Sequence, residues 1–322
     1  MIKIALDMMG GDNAPSSNIG GVIEFLSESD NSAKVYLVGK SDKISKELEL
    51  YPKIKSKNFE IVNASDIVLS DDRPSRILKE KPNSSMVKSI NLLNDNIVDA
   101  VVSAGNTGCL LASSFFKLGT IKNVKRPALI AFIPSENGNF LICDVGANSS
   151  AKPIHLLQFS KMASVYINNH FNVPNPKIGL LNIGLEKNKG NELVKESYNL
   201  MQEYVEGFIG NIESRYIFDG KADIVVCDGF TGNIVLKLIE GMTNYNFNLI
   251  SSKLDLNKNK TIKSIKKIYN YEEYGATPIL GVKGLVLKSH GSASKTSIKN
   301  ALKTAEKLHR FNLINKFEEI SL

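Results

Sequence analysis

Six short stretches hold most of the residues that could do chemistry. They are Asp7-Met8-Met9-Gly10-Gly11-Asp12, Ser103-Ala104-Gly105-Asn106-Thr107-Gly108, Asp144-Val145-Gly146-Ala147-Asn148, Asn182-Ile183-Gly184, Asp228-Gly229-Phe230-Thr231-Gly232-Asn233 and Ser289-His290-Gly291-Ser292. Each follows an apolar run and combines glycine with a small polar side chain. Glycine lets backbone approach a ligand closely, and the unpaired N–H groups of a helix start attract anions. Taken singly, each stretch is also ordinary turn chemistry. Six on one rim predict a site that handles an anion. Lys152 in GANSSAKPIHL and Lys189 in NIGLEKNKGNEL, with Lys187 close by, would bring a point charge to phosphate or to a developing oxyanion. His155 and His290 also fall near the rim, whereas His170 and His309 end helical stretches and are expected on the surface.

The motifs that are missing narrow the chemistry. No GxGxxG opens a βαβ unit and no GxxxxGK[ST] occurs, so nicotinamide and nucleoside-triphosphate readings lose their usual support. There is no HExxH, no paired cysteine motif and no GxSxG elbow, so the chain is expected to need no metal and no cofactor. Asp7 and Asp12 would repel an anion; they read as groups that hydrogen-bond and fix neighbouring loops.

Those loops need a scaffold, and the apolar runs before them supply it. KIALD, KVYLVG, FEIVNA, DAVVSAG, ALIAFIP, FLICDVG, KIGLLNIG, DIVVCDG and GLVLKSHG read as strands, most of them separated by helical segments. That alternation predicts an α/β fold, three layers of α/β/α around a mostly parallel sheet. Residues 136–139, Glu-Asn-Gly-Asn, predict a hairpin turn and one antiparallel pair. DAVVSAGNTGCLL and DIVVCDGFTGNIVL echo each other, so one loop geometry is expected twice. The length allows one large domain or two halves, and a single catalytic domain over 1–322 is the reading adopted. Residues 236–274 read as an inserted helical hairpin with a Lys-rich tip, suited to dimer packing or a membrane surface.

Composition excludes other classes. The net charge is +7, yet the basic residues are almost all lysine and no basic-aromatic array appears, so nucleic acid is not expected as a partner. Cys109, Cys143 and Cys227 lie in apolar stretches without metal spacing and read as reduced core thiols. No apolar run approaches the ~20 residues of a membrane span, and a cytoplasmic protein is expected.

With these residues in view, the sequence resembles the bacterial phosphate acyltransferases (acyl-acyl carrier protein:phosphate acyltransferases). The resemblance is carried in order by LDMMGGDNAP, SAGNTG, RPAL, DVGANSSAKPIHLLQF, GLLNIGLEKNKGNEL, VVCDGFTGN, EYGATPILGVKG and SHGSASKTSIKNA, from Ile4 to about Ala305. The family usually has a carboxylate where this chain has Ser149-Ser150, YGGAP where it has YGATP, and a more apolar hairpin tip. The resemblance implies transfer of a fatty acyl group from acyl carrier protein to inorganic phosphate, giving acyl phosphate for phospholipid synthesis. It implies a fold akin to phosphotransacetylases and isocitrate-type dehydrogenases, a homodimer, and peripheral association with the cytoplasmic membrane. The partners implied there are the membrane surface and a membrane glycerol-3-phosphate acyltransferase.

In that chemistry Gly105, Asn106, Thr107 and Gly108, and Phe230, Thr231, Gly232 and Asn233, would bind phosphate or the carbonyl oxyanion. Lys189 is the first choice for charge stabilisation and Lys152 the second. Asn106, Asn148 and Asn233 would orient substrates, and His290 would assist the departing thiol. Asp7, Gly10, Gly11, Asp12, Asp144, His155, Asp228 and Gly229 complete the expected substrate site. Three rival readings stay open: a coenzyme A-dependent phosphotransacetylase, a metal-dependent hydroxyacid dehydrogenase, and a non-catalytic acyl-carrier or lipid-binding regulatory protein.

Overall fold

A computed structural model describes residues 1–28, 32–52, 58–253, 265 and 274–320. Nine strands form where the apolar runs predict them, and β8 and β10 are additions: β1 (Ile2–Asp7), β2 (Ala33–Gly39), β3 (Phe59–Asn63), β4 (Ala100–Ser103), β5 (Ile130–Ser135), β6 (Gly138–Cys143), β7 (Ile178–Asn182), β8 (Phe208–Glu213), β9 (Ile224–Val226), β10 (Ala276–Pro278) and β11 (Leu285–Ser289). Ile4, Ala5 and Leu6 of β1 and the whole of β4 and β9 are buried, as strands covered on both faces must be.

Packing divides the chain into two compact units, Met1–Pro127 with Tyr271–Glu319, and Ala128–Asn270 with Ile320–Leu322. The first holds a six-stranded sheet in the order β10-β11-β4-β1-β2-β3, parallel except for β10. Its helices pair up: Ser16–Glu28 with Lys295–Arg310, and Ser85–Asn94 with Thr107–Leu118. Gly21 permits the first pairing, since a Cβ there would lie 2.6 Å from Ile298 Cβ.

The second unit holds a five-stranded sheet in the order β5-β6-β9-β7-β8, parallel except for the β5–β6 hairpin. The turn between these strands falls at residues 136–137. Helix Pro153–Phe171 packs on β6 and β9 and against helix Glu192–Tyr204. Helix and sheet thus alternate in layers, with mostly parallel strands, in both units.

The echoed segments occupy matching places. Each supplies a strand, β4 or β9, a polar turn and the start of a helix. Each opens with an aspartate bound to the neighbouring strand: Asp99 Oδ2 accepts from Lys3 N at 2.7 Å, and Asp223 Oδ2 from Lys177 N at 2.7 Å. Both sheets then run antiparallel pair, echoed strand, parallel neighbours, with β3 the addition in the first.

The helix expected from Leu236 begins earlier and runs Gly229–Lys253. The hairpin tip and the second helix expected in 236–274 lie outside the described residues, apart from Ile265 and Tyr274. No helix among the described residues is long and apolar enough to cross a membrane. Cys109, Cys143 and Cys227 are buried free thiols; burial, with the Asp72 carboxylate adding to it, pushes the Cys109 thiol up to about 11.

Candidate active site

In the first unit, the ends of β1, β4 and β11 lie side by side, which brings three of the expected loops together. Asp7 is the knot. Its Oδ1 accepts from Ser85 Oγ at 2.6 Å and Met9 N at 3.2 Å, and its Oδ2 accepts from Ser103 Oγ at 2.7 Å. Burial pushes the Asp7 carboxyl above its ordinary range, and these donors pull against that shift. Asn18 Nδ2 donates to the carbonyls of Asp7 and Gly10, both at 3.1 Å, and fixes the turn between them.

Gly10 and Gly105 are where the two loops touch. A Cβ on Gly10 would stand 2.6 Å from Asp7 Oδ2 and 2.7 Å from Gly105 N. Gly11 has φ 101° and faces the Gly291 carbonyl, while Asp12 N donates to the same oxygen at 2.8 Å. The costly turn after β1 therefore holds the loops after β4 and β11.

Asn106 is the N-cap of helix Thr107–Leu118: its Oδ1 accepts from Cys109 N at 3.0 Å, and its Nδ2 donates to the carbonyls of Leu69 and Ser70. Its amide was expected to orient substrate, but both ends of it shape the loop instead. The N–H groups of Thr107 and Gly108, at the first turn, have no acceptor among the described residues. His290 is exposed, and Ser292 N–H donates to its Nδ1, which leaves the proton of the neutral ring on Nε2.

The second unit builds a comparable knot on Asp144. Its carboxylate accepts from Leu129 N, Ala147 N, Asn148 N and Asn148 Nδ2, all within 2.8 to 3.0 Å. Burial pushes this carboxyl up as well, opposed by the same donors. The Asn148 carbonyl accepts from Gly229 N at 2.9 Å, so the loop after β6 is fastened to the loop after β9. Gly232 is required there, because a Cβ would lie 1.9 Å from the Asp144 carbonyl oxygen.

Asp228 Oδ1 accepts from Thr231 N at 2.9 Å, Asp228 Oδ2 from Thr231 Oγ1 at 2.7 Å, and the Asp228 carbonyl from Gly232 N. The helix start expected to take phosphate therefore already carries a carboxylate of this chain. That carboxylate would repel a second anion, and the Thr231 and Gly232 N–H groups are taken up within the cap. Asn148, expected to orient substrate, and His155, whose Nδ1 accepts from Lys152 N at 3.1 Å, likewise hold loops. Phe230 is 61 % exposed.

Among the lysines the structure discriminates. Lys187 donates to Gln202 Oε1 at 3.1 Å and lies over the Tyr198 ring, bound to the following helix. Lys189 and Lys152 are exposed and make no ion pair among the described residues. Asn182 Nδ2 holds the Lys189 carbonyl at 3.1 Å, fixing the backbone and leaving the side chain to solvent. Asn233, beside Gly146, makes no side-chain hydrogen bond among the described residues. The expected residues thus divide into those that build loops and those whose polar groups remain open to a substrate.

One charged residue escaped the sequence reading. Lys288 sits inside apolar β11, one residue before the Ser289-His290-Gly291-Ser292 loop, and its Nζ donates to the Ala104 carbonyl at 3.4 Å. The signal was present: a lysine that follows three apolar residues of a strand.

Comparison with known proteins agrees with this architecture. Residues 2–316 match the family described as fatty acid synthesis protein. A phosphate acyltransferase of Dictyoglomus thermophilum is 44% identical over 329 residues, covering 99% of this chain and 97% of the relative. One from Clostridium botulinum is 42% identical over 330 residues, covering 99% and 98%. Among solved structures, a phosphotransacetylase from Streptococcus pyogenes is similar with a TM-score of 0.63 at 13% identity, covering 96% of this chain and 94% of that one, which is a likeness of fold. On its sequence over nearly its whole length, the chain belongs to the phosphate acyltransferase family of fatty acid synthesis proteins and is an acyltransferase.

Proposed function

We propose that the protein moves a long-chain fatty acyl group from acyl carrier protein to inorganic phosphate, giving acyl phosphate for phospholipid synthesis. The observation that carries this reading is the turn at residues 103–108, where a buried knot holds a helix start whose Thr107 and Gly108 N–H groups are uncommitted. Such a start suits an anion. Relatives bearing the name phosphate acyltransferase support phosphate as that anion.

The chemistry asks for little acid-base power. Phosphate is an anionic nucleophile near neutral pH, and a leaving thiol has a pKa of about 8.5. One phosphate oxygen forms a bond to the thioester carbonyl carbon; the carbon–sulfur bond then breaks and the electron pair leaves on sulfur. Thr107 and Gly108, in the first unit, are the donors assigned to phosphate; in the second unit Lys189, with Lys152 second, is the charge assigned to an oxyanion. Removing one such donor costs about 3–4 kcal/mol. Asn233 orients the donor, and the Nε2–H of His290 assists the departing thiol. In this reading residues 1–322 act as one catalytic domain.

The helix Gly229–Lys253 exposes Ile234, Leu238, Met242, Tyr245 and Leu249 at spacings of three and four, with Leu238 63% and Tyr245 62% exposed. That apolar stripe supports packing against a second copy to form a homodimer. The Lys-rich sequence that follows supports contact with an anionic membrane surface, where the product would meet a membrane glycerol-3-phosphate acyltransferase.

The test is donor selection. Palmitoyl-acyl carrier protein, palmitoyl-coenzyme A and acetyl-coenzyme A are each incubated with the protein, with and without phosphate, and acyl phosphate is trapped by hydroxylamine. Phosphate-dependent hydroxamate from the carrier-bound palmitoyl group is expected. Product from acetyl-coenzyme A alone would make the protein a phosphotransacetylase, and carrier binding without product would make it a regulatory binder.

A further inference from the structure

Lys288 has no part in the roles above, yet it touches the Ala104–Gly105 peptide of the first unit. It pairs in register with Ser103 of β4, and its ammonium donates to the carbonyls of Ala104 and Ser289. The charged groups that face it are Asp7, from the end of β1, and Asp12, from the loop after it; β4 and β11 present carbonyls.

The Ala104 carbonyl and the Gly105 N–H belong to one planar peptide, so a group that holds either end orients both. The N–H end donates to Ser103 Oγ at 3.0 Å, and that hydroxyl donates to Asp7 Oδ2 at 2.7 Å. The carbonyl end accepts from Lys288 at 3.4 Å. One peptide plane is thus held at its N–H end by Asp7, through Ser103, and at its carbonyl end by Lys288. Burial pushes the Lys288 ammonium down to about 8, with Asp7 and Asp12 pulling the other way. Charge-assisted hydrogen bonds are roughly twice as strong as neutral ones, so loss of that proton weakens the hold.

We propose that Lys288 is a positioning residue, which fixes the Ala104–Gly105 peptide, and through it the anion-binding start of helix Thr107–Leu118, and loosens both when its ammonium is deprotonated. The kinetic consequence rests on the reading that residues 105–108 bind phosphate; the hold on the peptide does not.

Ala104-Gly105 is the only Ala-Gly pair in the sequence, so carbonyl-13C alanine with 15N glycine singles out the Gly105 amide. Its chemical shift is followed from pH 6.5 to 9.5 in the wild type, Lys288→Met and Lys288→Arg. We expect a wild-type titration with its midpoint near 8 that vanishes in both variants. At pH 7, KM for phosphate should rise about tenfold in Lys288→Met and recover in Lys288→Arg, with KM for the acyl donor little changed. A wild-type Gly105 shift that is flat, or that titrates unchanged in Lys288→Met, would overturn the proposal without needing any variant to be active. A Gly105 titration that behaves as expected in a protein forming no acyl phosphate would uphold the positioning role and sink the assigned reaction.

Discussion

Gly10→Ala probes the contact on which the phosphate reading depends. The added methyl would sit 2.7 Å from Gly105 N and 2.6 Å from Asp7 Oδ2, where ordinary contact begins at 3.4 Å. Backbone must therefore move by 0.7 Å, the difference between 3.4 and 2.7 Å. Both neighbours are constrained: Asp7 by Ser85 and Ser103, Gly105 by Ser103. Overpacking of this kind costs roughly 1–3 kcal/mol of stability. The larger effect is kinetic, because a misplacement of about 1 Å can cost on the order of 100-fold in rate. We expect kcat/KM for phosphate to fall roughly 10- to 100-fold in a protein that still folds, measured as hydroxamate formation at varied phosphate. Gly241→Ala is the control: nothing lies within 4 Å of its added methyl in the helix Gly229–Lys253. It should add up to about 1 kcal/mol of helix stability and leave the kinetics alone. A folded Gly10→Ala protein with the wild-type phosphate KM and kcat would refute the idea that the turn after β1 places the phosphate donors.

Other substitutions separate loop builders from substrate-facing groups. Lys189→Ala should lower kcat/KM on the order of 100-fold with the melting temperature unchanged, while Lys187→Ala, which loses its bond to Gln202, should stay within a few-fold of normal. Asp228→Ala removes the cap on Thr231 and should cost ~1 kcal/mol in denaturant unfolding. The Lys288 ammonium is lowered on folding from 10.5 to about 8, so the unfolded chain binds more protons between those values. Wild-type stability should therefore rise relative to Lys288→Met across that window, by about 3 kcal/mol at most, and a wild-type stability that stays level or falls relative to Lys288→Met as pH rises would contradict the burial of this charge.

The sequence displayed the scaffold well where strands are covered on both faces. Nine apolar runs became strands, and in the central ones, such as β4 and β9, burial on two sides leaves little room for polar residues. Phe208–Glu213 and Ala276–Pro278 escaped notice: the first carries Gly210 and Asn211 at the sheet edge, and the second is three residues ending in proline. The rim loops were also legible, since glycine next to Asp or Asn is hard to place elsewhere. Which polar atoms those loops spend on themselves was not. Asn106, Asn148 and Thr231 look like substrate ligands in one dimension, but their partners at Leu69, Asp144 and Asp228 are fixed by chain geometry. The position of Lys288 in an apolar run was legible, but its partner was not, because Ala104 lies just beyond the end of a neighbouring strand.

In the proposed reaction a phosphate oxygen attacks the thioester carbonyl, and the fate of that oxygen tests this step. Palmitoyl-acyl carrier protein is incubated with the enzyme and phosphate carrying 18O at all four positions, and the acyl phosphate is examined by 31P NMR, whose signal shifts with each 18O on phosphorus. Direct attack keeps every labelled oxygen on phosphorus, so product with four is expected. Product with three, as required if a free carboxylate attacked phosphorus, or no acyl phosphate at all, would contradict it.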